Sequence, residues 1–377
     1  MLRRRFIALL AAVTAVPRVF AQGRKTMQNS ELDNRIARLR RAFAPPAQAP
    51  QLLLDLARWL ETPQAGDLPF GDHVDGDGGE WVDRLSDFWV EEGSDLAEQF
   101  GIFMGLGEGS DIALWNRGGP SETWPVVLIG GEGEAGVLAD DLAGFLARIA
   151  LADFESGSEP DGDGYSWLEF QAGEEYESED QWDSETRAGV EKARRARKAL
   201  GEWLVRTTGS DLAALRHDRT PANALRELFD AHQKAVLARR AADQNWHEVV
   251  RLFKPFAKRG KASWSKELHI VCAGDEFHIG KLNGRVFEPF AEAKAIEAPL
   301  RALREARAER QPSQGLWFSA TLRGTGDGEP DLIARYLNPL DEYIAAPRPS
   351  AEAVRADCKR KPRSDWWTPP WLRQILG

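Results

Sequence analysis

GSDIALWNRGGPSETWPVVLIGGEGEAGVLADDLAGFLARIAL, residues 109–151, reads as strand, loop, strand, acidic glycine turn and helix. Residues 112–115 and 126–129 are short apolar runs, and GGEGE at 130–134 interrupts the second. Leu138, Leu142, Phe145, Leu146 and Ile149 then recur at helical spacing, which predicts a helix over 140–151 with Asp140 or Asp141 as its cap. That helix would cover one face of the strands. Upstream, Phe100, Ile102, Met104 and Leu106 alternate as in a half-buried strand over 96–106. The expectation is a few antiparallel strands joined by tight turns, with no residue of the run placed for catalysis.

At 377 residues the chain is long enough for two ordinary cores. The expected fold class is α+β in two domains, each a small, mainly antiparallel sheet packed with helices. The first spans residues 27–153, an acidic linker 154–186, and the second 187–377. A net charge of -10 repels nucleic acid and anionic membrane surfaces and favours a basic partner. Two cysteines, Cys272 and Cys358, are too few for a disulfide framework and lack zinc-site spacing. Each reads as a small buried hydrophobe; whether they pair after export is a question of geometry. The fourteen tryptophans read mainly as half-buried core residues with the indole N–H bonded outward.

Arg3, Arg4 and Arg5 precede the apolar run 6–16, and Val19-Phe20-Ala21 before Gln22 has the form of a cleavage site. RRRFI resembles a twin-arginine export motif. Residues 1–26 are therefore expected to be a signal peptide directing the protein to the periplasm. The alternative is a cytoplasmic protein whose translation starts at Met27. The run is too short to span a bilayer, and no stable membrane association is expected.

Downstream, Ser30 is positioned to cap a helix over 31–43 that ends before Pro45-Pro46. A second helix over 50–61 puts Leu53, Leu56, Ala57 and Leu60 on one face. Residues 81–90 fit strand or short helix equally. Residues 155–185 hold twelve acidic side chains and no Lys or Arg, the composition of a solvated linker, although Tyr165, Trp167, Phe170 and Trp182 argue that part of it docks. Arg194, Arg195, Arg197 and Lys198 follow on a predicted helix, and pairing with the acidic segment is the simplest use of their charge. In the second half, helices are expected near 185–207, 221–243 and 291–308. Strands are expected at 267–272, 276–282 and 285–287, the last two joined by the hairpin dipeptide Asn283-Gly284. A further pair, 315–323 and 332–337, precedes a closing segment, 351–376, in which Trp366, Trp367 and Trp371 cap the domain.

The chain's partial matches to catalytic and metal-binding motifs are each incomplete. Trp246-His247-Glu248-Val249-Val250-Arg251 has Arg251 where the HExxH zinc motif needs its second His. His269 and His278 could face one another across a strand pair, but each reads as a satisfied core or surface histidine rather than a ligand. The DGDG runs at 75–78 and 161–164 lack the third acidic ligand and the closing Glu of a calcium loop. Two glutamates line the glycine turn at 130–134, which would repel a phosphate, and no GxSxG elbow occurs. No catalytic, cofactor-binding or metal-binding residue is predicted, and a binding protein is expected rather than an enzyme.

The ordered set Gly109-Ser110-Asp111, Ala113-Leu114-Trp115, Pro125-Val126-Val127-Leu128, Gly131-Glu132-Gly133-Glu134, Leu138-Ala139 and Phe145-Leu146 resembles the SUKH superfamily, the cell-wall-assembly-regulator-like fold. The likeness extends back to Leu52. A fainter one joins Gly315 to Leu322, Leu332 to Tyr336, Asp357, Pro362-Arg363 and Trp367-Thr368-Pro369-Pro370-Trp371-Leu372 to the ends of other small bacterial immunity proteins. The resemblance implies a non-catalytic immunity protein that neutralises a cognate basic toxin, often a nuclease, by direct binding. Its candidate contact surface is Asp72, Asp75, Asp77, Glu80, Trp81, Glu91 and Glu92, with Glu108 and Asp111 nearby. Two other readings stand beside it: a scaffold without a toxin partner, and a hydrolase using carboxylates of the second half. Two mutually close carboxylates in a cleft there would favour the hydrolase.

Overall fold

The computed structural model describes residues 19–65, 68, 74–76, 85, 92–106, 110–130, 135–151, 184–216, 220–221, 223–258, 266–283, 286–324, 329–336 and 347–377. The fold is α+β with two antiparallel sheets. Its first half comprises α1 (Val19–Arg41), α2 (Gln51–Leu60), a 3-10 helix (Gly93–Gln99), β1 (Phe100–Gly105), β2 (Asp111–Trp115), β3 (Val126–Ile129), β4 (Ala135–Ala139) and α3 (Leu142–Leu151). The strands lie in chain order, β1-β2-β3-β4.

Three boundaries differ from the sequence reading, the first being β1, which begins at Phe100 because residues 96–99 belong to the 3-10 helix. After the acidic glycine turn the chain returns as β4, pairing Gly136 with Leu128 and Val137 with Val127, so Leu138 is a strand residue and α3 begins only at Leu142. The cap of α3 is Asp141, whose Oδ1 accepts from the Gly144 backbone N–H at 2.7 Å, while Asp140 accepts from Thr220 N–H at 2.8 Å. The first helix also starts earlier than expected. It runs from Val19 through Ser30 without a break, so Ser30 is not a cap.

The first sheet is covered on both faces, not one. Ile112, Leu114, Val126 and Leu128 share a cluster with Leu53 and Leu56 of α2 and Phe145 and Leu146 of α3. The alternate residues Ala113, Trp115, Val127 and Ile129 belong to a second cluster that continues into the other half of the molecule. That double burial explains why β2 and β3 are almost wholly apolar rather than alternating with polar residues.

The second half contains α4 (Ser184–Thr208), α5 (Leu212–Leu215), α6 (Ala224–Ala242), α7 (Gln244–Ala257), β5 (Lys266–Ala273), β6 (Glu276–Asn283), β7 (Val286–Pro289), α8 (Ala293–Arg310), β8 (Ser319–Gly324), β9 (Asp331–Arg335), α9 (Ala351–Arg360) and α10 (Pro370–Leu376). Its sheet has the order β7-β6-β5-β8-β9. The hairpin expected at Asn283 joins β6 to β7, and α8 crosses over so that β8 pairs with the opposite edge of β5. Leu268, Ile270, Cys272 and Leu322 share the second cluster with Trp246, Val249 and Phe253 of α7 and Ile296 and Leu300 of α8. On the other side Ala273 and Phe318 pack with Val354 of α9 and Leu372 of α10, where Trp371 meets the Phe318 ring, whereas Trp367 and Trp366 pack with the second cluster. Helix α4, assigned from sequence to the second unit, contributes Ala196, Leu200 and Leu204 to the first cluster. The two sheets therefore share one continuous core.

Candidate functional site

Of the nine residues expected to form an acidic contact surface, the structure describes Asp75, Glu92 and Asp111; Asp72, Asp77, Glu80, Trp81, Glu91 and Glu108 lie outside the described residues. The three are not brought together. Asp75 is held against α1, its carboxylate accepting from Arg38 Nε at 2.8 Å, and remains nearly half exposed. The adjoining Gly76 has φ +59°, and a Cβ there would lie 2.8 Å from the Leu39 backbone nitrogen. The Asp75-Gly76 turn is thus a close approach between loop and helix, which accounts for its glycine without calcium.

Asp111 is buried and Glu92 half-buried and paired, so neither stands on an open surface as expected. Asp111 opens β2 opposite Gly105 and Ile129 and is only 4% exposed. Glu92 precedes the 3-10 helix with φ 56°, and its Oε2 accepts from Arg239 at 2.9 Å and Arg310 at 3.1 Å. Burial acts to raise its pKa; the Arg307 charge, the Arg239 hydrogen bond and the charges of Arg310 and Arg239 outweigh it and hold the carboxyl below its ordinary value. A carboxylate read as bait for a basic partner is already matched to arginines of the same chain.

The whole acidic edge of that 3-10 helix is matched in this way. Arg307 of α8, buried, donates from Nη2 to Ser94 Oγ at 2.7 Å and Asp95 Oδ1 at 3.0 Å. Gln314 Nε2 donates to Ser94 O at 2.9 Å. Glu98 Oε1 accepts from Ser313 Oγ and from Trp367 Nε1, each at 2.6 Å. His232 of α6 lies in the same environment; burial, opposed by Asp95 and reinforced by Arg239, pushes its imidazole below the ordinary value. Sequence could not reveal these pairs, because the partners lie more than two hundred residues apart along the chain.

The second half carries its own buried charge pair. Arg304, 2% exposed, donates to Asp357 Oδ2 at 2.7 Å and to the Trp317 carbonyl at 2.7 Å. Asp357 also accepts from Gly274 N–H at 2.8 Å and from Arg360 at 3.0 Å, so α9 is fixed to the β5–β6 turn. Arg363 donates to the carbonyls of Leu316, Tyr336 and Trp367 and lies over the Phe318 ring at 4.5 Å. Asp357, Arg363 and the tryptophans of the closing segment are therefore a structural clasp. The same clasp buries Tyr336, whose hydroxyl burial pushes up to about 12.

An open cleft of about 700 Å³ lies on the second sheet between the end of α7 and the β6–β7 hairpin. Three carboxylates line it, Glu267, Glu288 and Glu292; Glu267 accepts from Arg323 at 2.7 Å and Glu288 pairs with Lys281 at 2.7 Å. The Lys281 hydrogen bond, followed by that of Asn283, holds Glu288 below the ordinary carboxylate range. His269 pairs in register with Gly280, and His278 with Val271, so the two histidines do not face each other. His269 Nε2 instead lies 3.6 Å from Glu267. His247 and Glu248 sit on α7, where Glu248 bonds Arg251 at 2.8 Å.

Both cysteines are free, and burial pushes the Cys272 thiol up to about 12. Among the described residues no group of three or more His, Cys, Asp or Glu is arranged to hold a metal ion. No described helix is long and apolar enough to cross a membrane. Helix α7 was missed in the sequence reading, although Trp246, Val249, Val250 and Phe253 recur at helical spacing behind Asp243, whose carboxylate caps it at 2.8 Å from Asn245 N–H. No family model matches the chain, and no curated protein or solved structure matches it.

Proposed function

We propose that the protein acts by binding rather than by catalysis, as an immunity-type protein of the SUKH kind that neutralises a basic bacterial toxin by covering it. The observation that supports this most directly is the use made of buried charge. Glu92, Asp95, Arg304, Arg307 and Asp357 are engaged in pairs that join elements of the fold, and two of the three cleft carboxylates, Glu267 and Glu288, face Arg and Lys. A general acid needs a carboxyl whose proton is held near neutral pH, which cationic partners oppose.

The contact surface is proposed around the acidic run 72–81, with Asp75 as its described member, and without Glu92 and Asp111. Net charge of -10 steers a cationic partner to such a surface over long range, while a few anchors set specificity. With an export signal, the partner would act in the periplasm.

The test is capture from lysates of competing bacteria on the immobilised protein, followed by co-expression with the captured partner. The expected result is a basic protein whose toxicity co-expression abolishes and whose activity is blocked at one-to-one stoichiometry. Turnover of a small compound by the purified protein, or a captured partner that stays fully active in the complex, would contradict the proposal. Asp75→Asn is expected to slow association and lessen its salt dependence with little change in dissociation, measured by stopped-flow mixing.

A further inference from the structure

A second surface has the opposite character. Helices α3 and α4 wall an open groove of about 600 Å³. The helices approach closely at Gly201, where a Cβ would lie 3.0 Å from Leu212 Cδ1 and 3.4 Å from Ala150 Cβ. Beside this contact Leu151 and Val205 line the groove and remain 43% and 39% exposed, two of the few large apolar side chains left open to water among the described residues. Arg194, Lys198 and Arg206 line the same groove and are exposed, with Glu202 as an acidic neighbour. An occupant must therefore offer apolar anchors flanked by negative charge.

We propose that this groove holds the chain's own acidic segment, residues 153–183. Leu151 closes α3 and Ser184 opens α4, so the segment is tethered at both ends to the helices that form the groove. It carries twelve Asp and Glu and no Lys or Arg, and its Tyr165, Trp167, Phe170, Tyr176 and Trp182 supply aromatic anchors. Tethering raises its effective concentration at the groove to about the millimolar range, so contacts too weak to hold a separate peptide suffice. The contacts are partly electrostatic between exposed groups, and salt weakens them.

Hydrogen–deuterium exchange on the full-length protein tests this. Amides of 153–183 are expected to exchange about tenfold more slowly in the wild type at low salt than in Arg194→Glu/Lys198→Glu/Arg206→Glu, whose changes lie at exposed positions. Added salt should remove the same protection from the wild type, a measurement that needs no variant. Exchange of β1–β4 serves as the control for folding and should stay unchanged. Unprotected exchange of the segment in the wild type at low salt, or protection indifferent to both salt and charge reversal, would overturn the proposal. So would protection that rises with protein concentration, which would assign the bound segment to a second copy.

Discussion

Glu92 shows how a side chain's neighbours change its meaning. Read alone it is an acidic surface residue; in the fold it accepts from Arg239 and Arg310. Its lowered pKa fixes the sign of a pH effect. The unfolded chain takes up the proton near pH 4.5 and the folded one only at lower pH, so the contribution is complete above that value and is lost as pH falls through the folded pKa. Glu92→Gln should therefore be less stable than the wild type at neutral pH and show a shallower acid limb in urea midpoints measured against pH. Asp357 acts in the same direction, burial opposing and Arg304 leading the groups that lower its pKa. Removing a single member of a buried pair is the costly change: Arg307→Gln or Asp357→Ala should each lose about 3–5 kcal/mol in urea unfolding, because the partner is left buried and unmatched. What composition did convey at this scale was sign, an acidic chain seeking cations. It could not convey that Asp95 and Glu92 are matched within the fold, because Asp95 and Arg307 are 212 residues apart in sequence.

At the scale of elements, regular patterns carried most of the information. The hairpin at Asn283, the β8–β9 pair, α2 and α8 all follow from turn dipeptides and apolar periodicity. Reading failed where a pattern served two partners. In β4, Val137 and Leu138 belong to different clusters, one on each face of the sheet, whereas the sequence puts Leu138 in helical spacing with Leu142, Phe145, Leu146 and Ile149. Helix α7 is absent from the expected helices although Trp246, Val249, Val250 and Phe253 recur at helical spacing. Close approach tests these elements directly. A Cβ at Gly280 would lie 2.6 Å from the Glu288 carbonyl across the β6–β7 pair, so Gly280→Ala should cost about 1–3 kcal/mol and speed amide exchange in that hairpin first. Gly76→Ala combines the positive φ with the Leu39 contact and should cost more than about 1 kcal/mol, read as a lowered thermal midpoint.

For the molecule as a whole, length suggested two separable domains, but the first sheet lends one of its faces to the second core. The link between them is a 3-10 helix whose Ser94, Asp95 and Glu98 are held by α8 and the closing segment. Such an arrangement predicts that the halves unfold as one cooperative unit. The decisive measurement is urea unfolding of the full-length protein, followed in parallel by far-ultraviolet circular dichroism and by tryptophan fluorescence, with Arg307→Gln beside the wild type. Coincident single transitions for the wild type, shifted together to lower urea in the variant, are the result this account predicts. Two separate transitions in the wild type, or a variant that shifts only one of them, would contradict it.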